Sequence, residues 1–175
     1  MHADLLCEEC DRPYETHPTR YRCDCGGPLD FASPPRIFTP ADLPARPATM
    51  WRYHEALRVD RPTDAVTMGE GMTPLIPAGG RGHDHHLKLD FTFPTGSYKD
   101  RGAAVLISKL REMGVDSVVE DSSGNAGAAI AAYAARAGMR CLIYAPSTTS
   151  PAKLDQIRVF GAELRLVEGD RQATT

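Results

Sequence analysis

One residue of this sequence is placed to act as a nucleophile. Lys99 stands at the start of a predicted helix, where the positive end of the helix dipole disfavours an ammonium group. Together with burial, this favours a neutral amine that can attack an aldehyde. A surface lysine paired with Asp100 or Glu120 is the alternative interpretation.

A second segment has the composition of an anion-binding loop. Residues 122–127, with the sequence SSGNAG, precede the next predicted helix. Small hydroxyl residues and glycine at a helix start offer N–H and O–H donors that suit a carboxylate or a phosphate. Asn125 adds an amide for a phenolic or carbonyl oxygen, although an ordinary helix N-cap is the commoner use of such residues. Combined with the lysine, the loop predicts a site for an aldehyde and a carboxylate.

The cysteines indicate a metal site rather than disulfides. Cys7, Cys10, Cys23 and Cys25 form the pattern C-x2-C-x12-C-x-C, whose two close pairs suit a closed, tetrahedral structural zinc site. Redox pairs and unligated cysteines are the alternatives. The fifth cysteine, Cys141, lies in an apolar predicted strand and is interpreted as a small buried hydrophobic residue.

Strands and helices alternate around the two candidate loops. Such alternation with short loops indicates an α/β fold, a parallel sheet with flanking helices, in which ligands bind at the carboxyl ends of the strands. The predicted strands are 86–89, 117–120, 140–144 and 163–167, and the 140–144 strand is expected to be buried on both faces. The predicted helices are 98–113, 126–137 and one that opens at Ser150-Pro151 and ends before Gly161.

Composition divides the chain into three parts. Residues 1–30 are predicted to form a zinc-ribbon-like head, residues 31–68 a proline-rich connector that is extended, and residues 69–175 the α/β core. Trp51 is predicted to anchor the connector on the core. The histidine-rich segment 82–86 has a spacing that fits no common zinc pattern, so we expect a solvated loop.

The bulk composition excludes several classes of protein. The chain has 175 residues, of which 42% are hydrophobic and 25% are charged, as in soluble globular proteins. No apolar run is long enough to span a membrane, and no secretory signal is visible, so we expect a cytoplasmic protein. The net charge of −3 gives no support for nucleic-acid binding.

Several motifs resemble those of fold-type II pyridoxal-phosphate enzymes, and most closely those of the threonine synthase family. The sequence PTGSYKDRG at 94–102 is similar to the cofactor-lysine motif, and DSSGNAG at 121–127 to the serine-glycine-asparagine loop. GEGMTPL at 69–75 resembles the segment that opens the catalytic core. The paired-cysteine head and residues 51–53 resemble the N-terminal extension of many threonine synthases.

The resemblance implies a reaction and a role for each matching residue. The family converts O-phosphohomoserine and water to threonine and phosphate, with the cofactor as an electron sink. Lys99 would form the Schiff base with pyridoxal 5'-phosphate and later move protons at the substrate carbons, and Asn125 would hydrogen-bond the phenolic oxygen of the cofactor. Arg101 is a candidate cation for the substrate phosphate. The residues implied to hold the substrate carboxylate are Ser122, Ser123, Gly124 and Ala126.

The resemblance also implies that this sequence lacks the later half of the family's chain. Members of the family are longer, and their later half supplies a glycine-rich loop for the cofactor phosphate. We therefore expect an N-terminal portion with low activity alone, whose open sheet a complementing C-terminal half or a homo-oligomer would cover. A threonine or serine dehydratase, or another β-replacement enzyme, is the second interpretation. A non-catalytic zinc-ribbon binding module is the third.

Overall fold

The structure, a computed structural model, describes residues 4–79, 84–169 and 171–174. Its strands are β1 (Leu5–Cys7), β2 (Pro13–Tyr14), β3 (Leu29–Phe31), β4 (Leu75–Pro77), β5 (His86–Lys88), β6 (Ser117–Glu120), β7 (Arg140–Pro146) and β8 (Glu163–Val167). Its α-helices are α1 (Lys99–Glu112), α2 (Asn125–Ala137) and α3 (Pro151–Val159). None of the helices in these ranges is long and apolar enough to cross a membrane.

Three strands form the parallel sheet that the sequence predicts. Their order is β6-β7-β8, so β7 is the central strand. Ser117 lies opposite Arg140, and Leu142 lies opposite Glu163. The bounds of β6 and β8 match the prediction, and β7 continues to Pro146. The α/β class, with helices as the crossovers between parallel strands, is therefore confirmed.

The first predicted strand of that sheet lies in a different sheet. The strand at 86–89 exists as β5, but it pairs antiparallel with β4, with Leu75 opposite Lys88 and Pro77 opposite His86. Only eight residues, 78–85, separate the two strands. A connection of this length suits a hairpin, whereas a parallel pair needs a crossover of a dozen residues or more.

The core lies around α2. Eight of the thirteen residues of this helix are buried, and they form the continuous run 127–134. One cluster joins Tyr133 to Ile107 of α1, and a second joins α2 to Ile143 of β7 and Ile157 of α3. A helix that is apolar nearly all round is a buried helix. The alanine-rich sequence of α2 thus lets α1, α3 and the sheet approach it closely.

Only one face of the central strand is fully buried, which corrects the prediction for residues 140–144. Ile143 and Ala145 are fully buried on the face that α2 and α3 cover. Leu142 and Tyr144 alternate to the opposite face and are half-buried. The prediction was wrong because an apolar strand sequence does not tell whether a second layer covers its other face.

The segments before the core contain more turns than predicted. The cysteine-containing head is a small antiparallel sheet with the order β2-β1-β3. The connector is not simply extended, because 3₁₀ helices form at Pro40–Ala45, Met50–Ala56 and Pro62–Asp64. Proline is compatible with a first helical turn, where its missing N–H is not needed. Trp51 packs against the α1–α2 cluster, which confirms its predicted anchoring role.

Candidate active site

Lys99 is presented to solvent by a tightly turned loop. It is the first residue of α1, and its side chain is exposed, with Nζ 5.2 Å from the centre of the Tyr98 ring. Gly96 takes a left-handed φ of +79°, and its N–H donates to the Phe93 carbonyl at 2.8 Å. The Lys99 N–H donates to Ser97 Oγ at 3.3 Å. The backbone is therefore fixed while the amine is accessible.

Asp100 fixes the same loop from the buried side. It is fully buried, and both of its carboxylate oxygens accept hydrogen bonds from Thr95. One of these bonds comes from the Thr95 N–H at 3.0 Å, and the other comes from its hydroxyl. Burial raises the pKa of Asp100, and the two hydrogen bonds partly oppose that effect. The Asp100 carboxylate thus holds the loop before Lys99 instead of pairing with the lysine.

The second loop joins the carboxyl end of β6 to α2, as the sequence predicts. Its residues Ser122, Ser123, Gly124 and Ala126 are half-buried, whereas Asn125 is exposed. Gly124 occupies the N-cap position, and its N–H donates to Ser122 Oγ at 3.3 Å. No side chain of the described residues caps this helix start. Backbone N–H groups at the first turn of α2 are therefore available to an anionic ligand.

Gly127 is needed for a close approach within this loop. A Cβ atom at this position would lie 1.9 Å from the carbonyl oxygen of Ser122 and 3.4 Å from Cδ1 of Ile157. Only glycine fits without displacing the loop. Its place in the SSGNAG motif does not reveal this role, because the contact depends on how the loop folds back on α2.

Helix α3 contacts both candidate loops. Gln156 Nε2 donates to the Thr95 carbonyl oxygen at 2.8 Å, in the loop before Lys99. The next residue, Ile157, packs at Gly127. The structure therefore brings the two loops that the sequence singles out to the same helix. Sequence reasoning missed Gln156, because nothing local distinguishes it from other polar residues of a helix.

A buried carboxylate ties the segment 69–75 to the core. Glu70 is fully buried and accepts hydrogen bonds from Trp51 Nε1 at 2.6 Å and from the Tyr133 hydroxyl at 2.8 Å. Burial and the neighbouring charge of Glu70 raise the pKa of Tyr133. Gly71 follows with a φ of +116°, and a Cβ there would lie 2.3 Å from the Met50 nitrogen. The connector and α2 are thereby held in one arrangement.

Arg101 is engaged in a structural ion pair. Its Nη2 lies 3.0 Å from Asp90 Oδ1, and its guanidinium carbon lies 4.6 Å from the centre of the Phe93 ring. The Thr73 hydroxyl donates to the same Asp90 oxygen at 2.6 Å. Burial favours the neutral acid, but these two hydrogen bonds lower the pKa of Asp90 overall. Arg101 thus links α1 to the segment 69–75.

The four N-terminal cysteines converge. Their Sγ atoms all lie within 4.8 Å of one another, with 3.6 Å between Cys7 and Cys25 and 3.5 Å between Cys10 and Cys23. A tetrahedral zinc ion with Zn–S bonds of about 2.3 Å needs sulfur atoms ~3.8 Å apart, so the donor set fits zinc. Hydrogen bonds, first from the Tyr14 hydroxyl at 3.1 Å and then from Cys25, lower the pKa of the Cys23 thiol to about 6.

Two other sequence features lie outside these sites. Cys141 packs against both core clusters and burial raises its pKa to about 11, so it packs as a hydrophobic residue, but it is half-buried rather than buried as predicted. In the histidine-rich segment, Gly82 and His83 lie outside the described residues. The described part is exposed, and His86 Nδ1 lies 3.7 Å from Asp84 Oδ1.

Comparison with known proteins identifies the class of protein to which this fold and these loops belong. The sequence model of the family described as "Pyridoxal-phosphate dependent enzyme" matches residues 66–175. The chain belongs to this family of pyridoxal-phosphate-dependent enzymes.

The resemblance to threonine synthases is likewise confirmed. Threonine synthase of Methanocaldococcus jannaschii is 33% identical to this chain over 174 residues, which cover 94% of this chain and 43% of that protein. The chain therefore spans less than half the length of this curated relative.

Solved structures support the fold more broadly. A hydrogen sulfide-producing enzyme from Fusobacterium nucleatum matches with a TM-score of 0.56 and 29% identity, covering 59% of this chain and 37% of that chain. Threonine deaminase isoform 2 from Solanum lycopersicum matches with a TM-score of 0.51 and 26% identity, covering 54% of this chain and 26% of that chain. The α/β architecture is thus shared by enzymes that are named for different activities.

Proposed function

We propose that this chain is the N-terminal part of a threonine synthase-type lyase that converts O-phosphohomoserine and water to threonine and phosphate. The observation that carries the proposal is the meeting of two loops at α3: one presents an exposed lysine, and the other presents a helix start without a side-chain cap. The identity of 33% to a threonine synthase over 94% of the chain supports the choice of substrate.

The described residues fit pyridoxal 5'-phosphate and an amino-acid substrate. Lys99 would supply the accessible amine that holds the cofactor through its aldehyde, and the same amine would carry protons to and from the substrate carbons. Asn125, exposed at the start of α2, would donate its amide N–H to the phenolic oxygen of the cofactor. When bound, the cofactor supplies an electron sink for carbanions. The groups that hold the substrate carboxylate are Ser122, Ser123, Gly124 and Ala126.

A complementing C-terminal half, or else a second copy of the chain, is proposed to complete the fold. Parallel sheets are normally covered on both faces. Here Val119 is 64% exposed on the same face as the half-buried Leu142 and Tyr144. The β4–β5 hairpin also exposes Leu75 and Leu87, and an isolated two-stranded hairpin is only marginally stable. These surfaces support a further layer of protein.

The substrate can be tested by joining this chain to the unmatched C-terminal part of the Methanocaldococcus jannaschii relative. We expect phosphate release from O-phosphohomoserine by the joined protein, and much less by the chain alone. Lys99→Ala should abolish phosphate release by the joined protein. Lys153→Ala alters an exposed lysine of α3 and should leave phosphate release unchanged.

The same assay separates the second candidate function. Release of a keto acid from threonine, without phosphate release from O-phosphohomoserine, would overturn the threonine synthase assignment in favour of a dehydratase. The structural match to a threonine deaminase is the observation that favours this alternative.

We also propose that Cys7, Cys10, Cys23 and Cys25 hold a structural zinc ion in the head. The convergence of the four sulfur atoms supports this, and a closed set of four thiolates leaves no open position for catalysis. Elemental analysis of protein purified without chelator should find about one zinc per chain, and less in Cys10→Ser. Zinc near zero in the unsubstituted protein would contradict the site.

The division into a head (1–30), a connector (31–68) and a core (69–175) is proposed on the same basis. The match to the enzyme family begins at residue 66, close to the boundary between the connector and the core. Limited proteolysis should therefore cleave first within the connector, and initial cleavage inside α2 would contradict this division.

A further inference from the structure

One side chain of the head reaches a sulfur atom of the cysteine cluster. Tyr14 is the last residue of β2, and its position is set by pairing with Leu5 of β1. Its hydroxyl oxygen lies 3.1 Å from Cys23 Sγ. Within the described ranges, the other hydrogen bonds of these sulfur atoms involve backbone N–H groups or the cysteines themselves.

The direction of this hydrogen bond follows from its surroundings. The backbone N–H of Asp24 donates to the Tyr14 oxygen at 3.1 Å, so an acceptor site of that oxygen is occupied. A cysteine that ligates zinc is a thiolate, which has no proton to donate. In the metal-bound head, the Tyr14 hydroxyl is therefore the donor and Cys23 Sγ is the acceptor.

The ring of Tyr14 is held in place for this contact. The guanidinium carbon of Arg20 lies 4.3 Å from the centre of the ring. Arg20 also pairs with Asp24 at 3.1 Å, and Arg12 pairs with the other oxygen of Asp24 at 3.0 Å. Because Asp24 follows Cys23 directly, the two arginines, the tyrosine and the metal-binding loop form one connected network.

We propose that Tyr14 tunes the zinc site, donating its hydroxyl proton to the Cys23 thiolate and thereby slowing the loss of the metal ion. This inference rests on the zinc site proposed above. Hydrogen bonds to metal ligands hold the ligand in orientation, and their removal typically lowers metal affinity by about 10–100-fold. Tyr14 acts through Cys23 and is thus a positioning residue.

The test compares Tyr14→Phe with Tyr21→Phe in the full chain loaded with zinc. Tyr14→Phe keeps the ring under Arg20 and removes only the hydroxyl. Tyr21→Phe makes the same chemical change on a side chain that is 82% exposed. Transfer of zinc to a chromogenic chelator gives the affinity and the release rate. We expect affinity to fall about tenfold or more in Tyr14→Phe and to stay unchanged in Tyr21→Phe.

A spectroscopic readout separates this role from general destabilisation of the head. With cobalt(II) in place of zinc, loss of the hydrogen bond leaves more electron density on the sulfur. The sulfur-to-cobalt charge-transfer band should therefore move to longer wavelength in Tyr14→Phe only. A fall in zinc affinity without this shift would indicate a purely structural role and would overturn the inference.

The remaining outcomes are also decisive. Equal zinc affinity and equal cobalt spectra in the two variants would overturn the role of Tyr14 and leave the zinc site intact. Failure of the unsubstituted chain to bind zinc or cobalt would overturn the proposed metal site, and the role of Tyr14 with it.

Discussion

Replacement of Gly127 by alanine tests whether the loop before α2 depends on a close backbone approach. Gly127 is buried at the start of α2, against the carbonyl of Ser122 and the side chain of Ile157. Gly102, near the start of α1, is the matched control, because a Cβ there meets no atom within 4 Å. Both substitutions add one methyl group to a helical glycine.

The geometry sets the expected size of the effect. A Cβ at Gly127 would lie 1.9 Å from the Ser122 oxygen, whereas real Cβ atoms keep at least 3.0 Å, so the loop must move by more than 1 Å. Overpacking of this kind costs about 3 kcal/mol, offset by roughly 1 kcal/mol because alanine favours a helix more than glycine does. We therefore expect the free energy of unfolding to fall by about 2 kcal/mol in Gly127→Ala and to rise by about 1 kcal/mol in Gly102→Ala.

Urea denaturation followed by circular dichroism measures both changes. The midpoint should fall for Gly127→Ala and rise for Gly102→Ala, with similar slopes for the two transitions. Equal or greater stability of Gly127→Ala than of the unsubstituted chain would refute the packing of this loop against α2.

Three further predictions concern buried or paired carboxylates. Glu70→Gln should lower the free energy of unfolding by about 1–3 kcal/mol, because the new amide NH2 would face a donor of Trp51 or Tyr133. Urea denaturation compares this variant with Glu163→Gln, an exposed control, and equal midpoints for the two variants would contradict the prediction. Asp100→Asn should speed amide hydrogen exchange in residues 95–99, because one donor of Thr95 loses its acceptor. Unchanged exchange, or the same change in the exposed control Asp116→Asn, would contradict the role of Asp100 in holding this loop. Arg46 lowers the pKa of Glu55 from an ordinary value of 4.5 to about 2, so the stability that this pair contributes is fully present above pH 4.5 and is lost as the pH falls toward 2. Melting temperatures should show this acid-dependent loss, and Arg46→Met should reduce it; an identical pH dependence in that variant would contradict the pairing.

The local pattern of the sequence was sufficient to predict most of the α/β unit. The bounds of β6 and β8 follow from short apolar runs between turn residues, and α2 ends just before Gly138, whose φ of +71° suits a helix terminus. The partner of β5 was missed because pairing depends on the hairpin that joins it to β4. The open face of β7 was missed because burial depends on layers distant in sequence.

The candidate site also has features that local sequence predicts and features that depend on the whole fold. The two loops around Lys99 and Asn125 could be found from residue types at helix starts. The contacts around them could not: Gln156 reaches the loop before Lys99 at Thr95, 61 residues away, and Tyr133 reaches Glu70 of the segment 69–75, 63 residues away. Pairings over such distances follow from the completed fold, which no local pattern encodes.

The identity of the cofactor lysine is the central claim, and reductive trapping tests it most directly. Pyridoxal 5'-phosphate is added to the chain joined to the C-terminal part of the Methanocaldococcus jannaschii relative, borohydride is added, and the adduct is mapped by peptide mass spectrometry. We predict a dominant adduct at Lys99 that is lost in Lys99→Ala and retained in Lys153→Ala. Equal labelling of Lys88, Lys99, Lys109 and Lys153, or a dominant adduct at another lysine, would contradict the assignment.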